Sequence, residues 1–221
     1  MVVHQHNNME KESMGNRESI NIINSNGTGE IVEKKSRFIA NVFYVENASE
    51  AEEKIAEISK KYYDARHNCY AYVIGENSEI TKCSDNGEPS GTAGKPILEV
   101  ITGKDVTNVL VIVTRYFGGV LLGTGGLVRA YTQAAQAGLE ASGIKTLTYS
   151  RKLTLTASYN MINNIQYYLN QNDIPILDSR YEAEVQFDIC VRQADLERIT
   201  TGLTQKTEGK ISISEGDEGY F

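Results

Sequence analysis

Residues 85–131 hold the stretch that most constrains this fold. A loop, DNGEPSGTAGKP (85–96), is followed by a nearly unbroken apolar run, NVLVIVTRYF (108–117), and at once by GGVLLGTGGLVRAY (118–131). The apolar run predicts a strand covered on both faces. A glycine-rich loop between such a strand and a helix start leaves backbone N–H groups unpaired and aimed one way, which suits a phosphate or a carboxylate. Gly118, Gly119, Gly123, Gly125 and Gly126 permit tight turns and close approach of a ligand. Arg115 at the strand end and Arg129 about one turn into the helix would flank that nest and grip an anion bidentately. In the plainer alternative the glycines serve only a sharp turn and helix–sheet packing, and the arginines pair with acids such as Glu99. No Gly-Lys-Ser/Thr closes the loop, and the spacing of a dinucleotide-binding turn is missing too.

The preceding loop widens the candidate site. It carries Asp85, Glu88, Ser90, Thr92 and Lys95, with Pro89 and Pro96 stiffening it. On one reading Lys95 and the Ser90 and Thr92 hydroxyls complete an anion pocket, and Asp85 or Glu88 binds a cation or acts as a base. On the other, Asp85-Asn86-Gly87 is a local turn and Glu88 pairs with Arg66 or Arg115. No third metal ligand stands at readable spacing, which favours the second reading. His67, at a strand entrance, is either a pocket-lining contact or a structural histidine. Cys69 sits inside an alternating strand and is expected to be buried. No nucleophile elbow or zinc-protease helix occurs, so no catalytic residue, metal ligand or cofactor is assigned.

Length and charge set further bounds. A chain of 221 residues, 40% apolar and 23% charged, suits one large soluble domain or two small ones. The net charge of -7 argues against a protein that coats nucleic acid with its whole surface, so any such contact must be a local patch. The three cysteines and three histidines show neither disulfide nor zinc spacing. No run reaches the roughly 18 apolar residues of a membrane helix. Residues 1–18, with His4 and His6, read as a polar, disordered leader without the apolar core of a secretion signal. A reducing cytoplasm is the expected address.

Periodicity then divides the chain. Residues 29–34 and 37–45 read as strands joined by Lys34-Lys35-Ser36-Arg37. Ser49-Glu50-Ala51-Glu52 matches a capping box, and Ala51, Ile55, Ile58 and Tyr62 recur at helical spacing behind it. Residues 68–75 and 79–83 form a hairpin, and Pro96 opens a short helix. A helix from about residue 125 to 142 carries Ala130, Ala134, Ala135, Ala137, Gly138 and Ala141, small enough to lie close against a sheet, and Gly143 stops it. After a boundary near 146–150, strands at 152–158, 174–178, 181–191 and 210–214 alternate with helical stripes at 161–171 and around Leu196, Ile199 and Leu203. That order, β-α-β-β-α-β, is the ferredoxin-like sandwich. The expected domains are therefore 19–145 and 149–221. Glu182, Glu184, Gln186 and Asp188 give the outer face of the longest strand an acidic character, which argues against base stacking there.

At Lys35-Ser36-Arg37-Phe38, His67-Asn68-Cys69 with Ala71-Tyr72, DNGEPSGTAG (85–94), TRYFGG (114–119) and LGTGGLVRAY (122–131), the chain resembles the YigZ/IMPACT family, specifically its bacterial YigZ-type two-domain members. The resemblance is strong over about residues 20–143. It implies an α+β protein of two sandwich domains. The first is similar to the second domain of ribosomal protein S-five, and the ferredoxin-like second to the last domain of elongation factor G. Eukaryotic IMPACT proteins influence translation under amino-acid starvation but carry a different second domain. Both fold resemblances suggest a link to RNA or the ribosome. The expected function is a translation-associated factor that binds RNA or a ribosome-associated partner, with no membrane and no obligate metal. The alternative is a small-molecule enzyme acting on a nucleotide or phospho-metabolite in the same pocket.

Overall fold

The computed structural model describes residues 17–221, so most of the expected leader, including His4 and His6, lies outside the described residues. Among these, Arg17 and Asn21–Lys145 form one compact unit, and Glu18–Ile20 with Thr146–Phe221 a second. The protein is α+β throughout, with ten strands, five α-helices and two short 3-10 helices among the described residues.

After β1 (Ser19–Ile23), the first unit builds a sheet from β2 (Gly27–Glu33), β3 (Ser36–Tyr44), β4 (His67–Ile74), β5 (Ile80–Ser84) and β6 (Val109–Tyr116). The order is β2-β3-β6-β4-β5, with every ladder antiparallel. β6 is central, and its apolar run is sealed on both faces. Val109, Val111 and Val113 pack with α2 (Gly94–Gly103) and α3 (Thr124–Ser142), while Leu110 and Ile112 pack with Ala51 and Ile58 of α1 (Ala48–Lys61).

The capping box of α1 lies two residues earlier than the sequence pattern suggests. Asn47 Oδ1 accepts from the Glu50 N–H at 2.9 Å, and the Glu50 carboxylate reaches back to the Glu46 N–H at 2.9 Å. Asparagine caps at least as well as serine, and here it starts the helix first.

The small residues of α3 let it lie against β2 and β3. A methyl group added at Gly138 would stand 2.9 Å from both Ala40 Cβ and Val42 Cγ2. Gly138→Val is therefore expected to destabilise the first unit by about 1–3 kcal/mol. An unchanged urea midpoint would contradict this close packing.

The second unit pairs β7 (Ile144–Ala157) with β9 (Val185–Arg192) and β10 (Ile211–Tyr220), while β8 (Ile176–Tyr181) pairs with β9. The order β10-β7-β9-β8 is the ferredoxin-like arrangement expected from the element sequence. α4 (Ile162–Gln171) and α5 (Leu196–Lys206) bury Ile165, Leu169, Ile199 and Leu203 against Leu153, Leu155, Phe187 and Ile189. β1 extends the same sheet beside β7.

The β8–β9 hairpin turns later than expected, at residues 182–184, where the Glu182 N–H donates to the Glu184 carbonyl. Cross-strand partners decide this. Arg180 makes two bonds to Asp188, at 2.6 and 2.9 Å, and Tyr181 packs edge-on to Phe187. Glu182 and Glu184 thus belong to the turn, and Asp188 is neutralised by Arg180 and held by Thr154 at 2.7 Å. The outer face is an ion-paired surface, less acidic than the bare sequence implied.

Candidate anion-binding site

The loop at 85–94 folds around its two carboxylates. Asp85 Oδ1 accepts from the Ala93 and Gly94 N–H groups at 3.0 and 2.8 Å, and Oδ2 from the Gly91 N–H at 2.8 Å. The residue at the α2 N-cap, Ala93, has no capping side chain, so Asp85 performs that role from eight residues upstream. Burial pushes the Asp85 pKa up, but the three N–H donors together outweigh it and hold the carboxyl below the ordinary aspartate range.

Glu88 points inward and is buried. Its Oε1 accepts from Arg115 Nη1 at 2.6 Å and from the Tyr131 hydroxyl at 2.9 Å. Arg115 lies on the sheet opposite Phe38 on one side and His67 on the other. Its guanidinium sits 5.5 Å from the Phe38 ring centre and 5.7 Å from that of Phe117, and its Nε is buried without a partner.

Cys69 completes the cluster, with Sγ 3.0 Å from the Asp85 carbonyl and 3.3 Å from the Tyr131 hydroxyl. Burial pushes its thiol up to about 12 and raises the Tyr131 phenol as well. Cys69 is therefore a protonated packing residue, not a thiolate nucleophile.

These contacts correct several expectations. Arg115 does not flank an open nest, because its strand register places it beneath the 85–94 loop and α3, where Glu88 neutralises it. Of the alternatives read from sequence, the Glu88–Arg115 pair is the one that forms. Asp85 and Glu88 are committed to N–H, guanidinium and phenol donors. Thr92 is also buried and donates to the Pro89 carbonyl at 2.6 Å, so it fastens the loop to itself. His67 Nδ1 lies 2.8 Å from the Asn86 carbonyl. A carbonyl only accepts, so Nδ1 carries the proton and His67 ties β4 to the loop. Ser90 is exposed. No three His, Cys, Asp or Glu side chains cluster as a metal site among the described residues.

What remains open is the entry to α3. Gly118 donates to Ser36 Oγ at 3.1 Å and lies so close to the β2–β3 turn that an added Cβ would fall 2.0 Å from the Lys35 carbonyl carbon. Gly119 and Gly123 take φ of 85° and 71°, values open mainly to glycine. Gly123 caps α3 without a side chain, and the first turn holds no acidic residue. The leading N–H groups around Gly125 and Gly126 thus point out of the helix uncompensated. Arg129 is exposed, with Nη1 3.7 Å from where a Gly125 Cβ would stand. Lys95, near the start of α2, is 71% exposed at its side chain and only 3.9 Å from Glu99, a weak pair.

Tyr131, Asn86 and Ser36 were missed as contributors. Tyr131 had a readable signal, since a tyrosine on an alanine- and glycine-rich buried face must find a partner for its hydroxyl.

The family of the Impact N-terminal domain matches residues 34–139, and a domain of unknown function (DUF1949) matches residues 155–210. The chain is 40% identical over 195 residues to the IMPACT family member YvyE of Bacillus subtilis (strain 168), covering 88% of this chain and 90% of that protein. This chain belongs to the IMPACT family. The family member YigZ of Escherichia coli (strain K12) is 34% identical over 182 residues, covering 81% of this chain and 89% of the relative. Protein IMPACT-B of Xenopus tropicalis is 38% identical over 98 residues, which cover 42% of this chain and 30% of the frog protein. A solved crystal structure of a hypothetical protein superposes with a TM-score of 0.58 at 33% identity, covering 92% of this chain and all of the other. The bacterial relatives thus share both domains, as the YigZ-type resemblance implied. No helix among the described residues is long and apolar enough to cross a membrane.

Proposed function

We propose that this IMPACT-family chain is a cytoplasmic, translation-associated factor that works by binding, engaging a phosphate or carboxylate of RNA or of a ribosome-associated protein at the open end of α3. The observation that carries this reading is a contrast between two helix starts. The start of α2 is filled by the chain's own Asp85 carboxylate, whereas α3 is left without a side-chain cap, without an acid in its first turn, and with the Arg129 guanidinium beside it. An exogenous anion would stand at α3 as Asp85 stands at α2. Lys95, exposed at the start of α2, is the second cationic contact in this proposal.

The family link to proteins named IMPACT in eukaryotes supports a role around translation. The enzyme alternative would need Asp85 or Glu88 as metal ligand or base. Both already accept strong donors, so no observation favours it.

Co-sedimentation with ribosomes tests the proposal. Binding should weaken steeply between about 50 mM and about 200 mM salt. Lys95→Glu with Arg129→Glu should weaken it by about tenfold or more while circular dichroism stays unchanged. Salt-insensitive binding, or full binding by the double variant, would refute the anion site.

A further inference from the structure

Three exposed apolar side chains come from the short connection between β6 and α3. Phe117 is 44% exposed, Val120 44% and Leu121 84%. Single exposed apolar residues are ordinary, but three within five positions form a patch. The backbone beneath them is pinned. Gly118 is bonded to Ser36, Leu122 packs into the core of the first unit, and the Gly123 carbonyl accepts from the Leu127 N–H. Leu121 stands between these anchors with most of its surface in water. A pinned loop that holds apolar groups in water loses little freedom when a partner covers them.

The charges around the patch say what kind of partner fits. Lys34 and Lys35 form the β2–β3 turn, with φ of 46° and 66°, and the Lys35 backbone lies against Gly118. Both lysines and Arg129 are exposed. None of the three appears in an ion pair among the described residues. The uncapped start of α3 adds partial positive charge. In a chain of net charge -7, this is a local basic rim around an apolar tip.

We infer that residues 117–122, with Lys34, Lys35 and Arg129 at their sides, dock a protein segment whose apolar anchor residues are flanked by aspartate or glutamate. The inference rests on the anion-binding reading above and gives it a partner class. RNA fits less well, because sequence-tolerant RNA surfaces present flat rings for base stacking, and two of these three side chains are aliphatic. An anionic bilayer fits less well too, since the chain's overall negative charge opposes approach to a like-charged surface.

Fluorescence anisotropy with a labelled synthetic peptide of alternating Glu, Leu and Phe residues tests this on the full chain. The comparison probes are the same peptide with Lys for Glu, a mixed-sequence single-stranded RNA, and phosphatidylglycerol-containing vesicles. The acidic peptide should bind and the lysine version should not. Val120→Ser with Leu121→Ser removes only exposed apolar groups and should weaken binding by about tenfold or more. Lys34→Asn with Lys35→Gly removes both charges using residues suited to positive φ and should weaken binding and flatten its salt dependence.

No peptide binding, binding indifferent to the serine variant, or tighter capture of RNA or vesicles would each overturn the inference. Ribosome co-sedimentation separates it from the reading beneath. Binding lost in the Lys95→Glu, Arg129→Glu variant but intact in the serine variant sinks the inference alone. Binding intact in both sinks both.

Discussion

Replacing Glu88 with alanine is expected to destabilise the first unit by about 3–5 kcal/mol, the largest effect of any single change proposed for this chain. Arg115 is 6% exposed, and among the described residues its ion-pair partner is Glu88. Without that carboxylate a guanidinium stays buried between Phe38 and Phe117 with nothing to balance it, and the Tyr131 hydroxyl loses its acceptor as well. Glu88→Gln keeps an acceptor but not the charge, and should fall between wild type and Glu88→Ala. The double variant Glu88→Leu, Arg115→Met removes both charges and should recover most of the loss, because an apolar pair of similar volume needs no desolvation. Hydrogen exchange of the β6 amides, which open with the core, reads the effect. If Glu88→Ala exchanges like wild type, the pair is not what holds the loop.

Asp85 should come second. Asp85→Ala leaves the Gly91, Ala93 and Gly94 N–H groups without their acceptor and strips α2 of its cap, an expected loss of about 2–4 kcal/mol at neutral pH. The pH dependence has a definite sign. The folded-state carboxyl lies below its ordinary value of 3.8, so its stabilisation is complete above that value. It is lost as pH falls through the lower folded-state pKa and the carboxylate takes up a proton. Asp85→Asn should therefore flatten part of the acid limb of the stability curve while retaining some loop structure. An acid limb identical to wild type would show that the three N–H bonds carry no charge-dependent energy.

Much of the architecture was legible because it rests on local periodicity. The run at 109–113 can only be a strand covered on both faces. The alanine and glycine face of α3 can only lie near a sheet, and the alternation at 153–157 and 185–191 sets the core of the second unit. Boundaries that depend on competing local signals were less legible. Asn47 outcompeted Ser49 as a cap, and the Arg180–Asp188 pairing extended β8 through a polar stretch that looked like a turn.

The candidate site was legible as a set of residues but not as an arrangement. Glycine spacing, the basic residues and the carboxylates at 85 and 88 are properties of the chain read in order. Whether Arg115 faces solvent or Glu88 depends on the register of β6 with β3 and β4 and on where a loop 27 positions away comes to rest. Order along the chain determined which backbone shapes and charges were on hand. Tertiary packing alone decided that one arginine would be neutralised inside while another stayed in water, because the energy of a charge is set by neighbours distant in sequence and by the solvent they exclude.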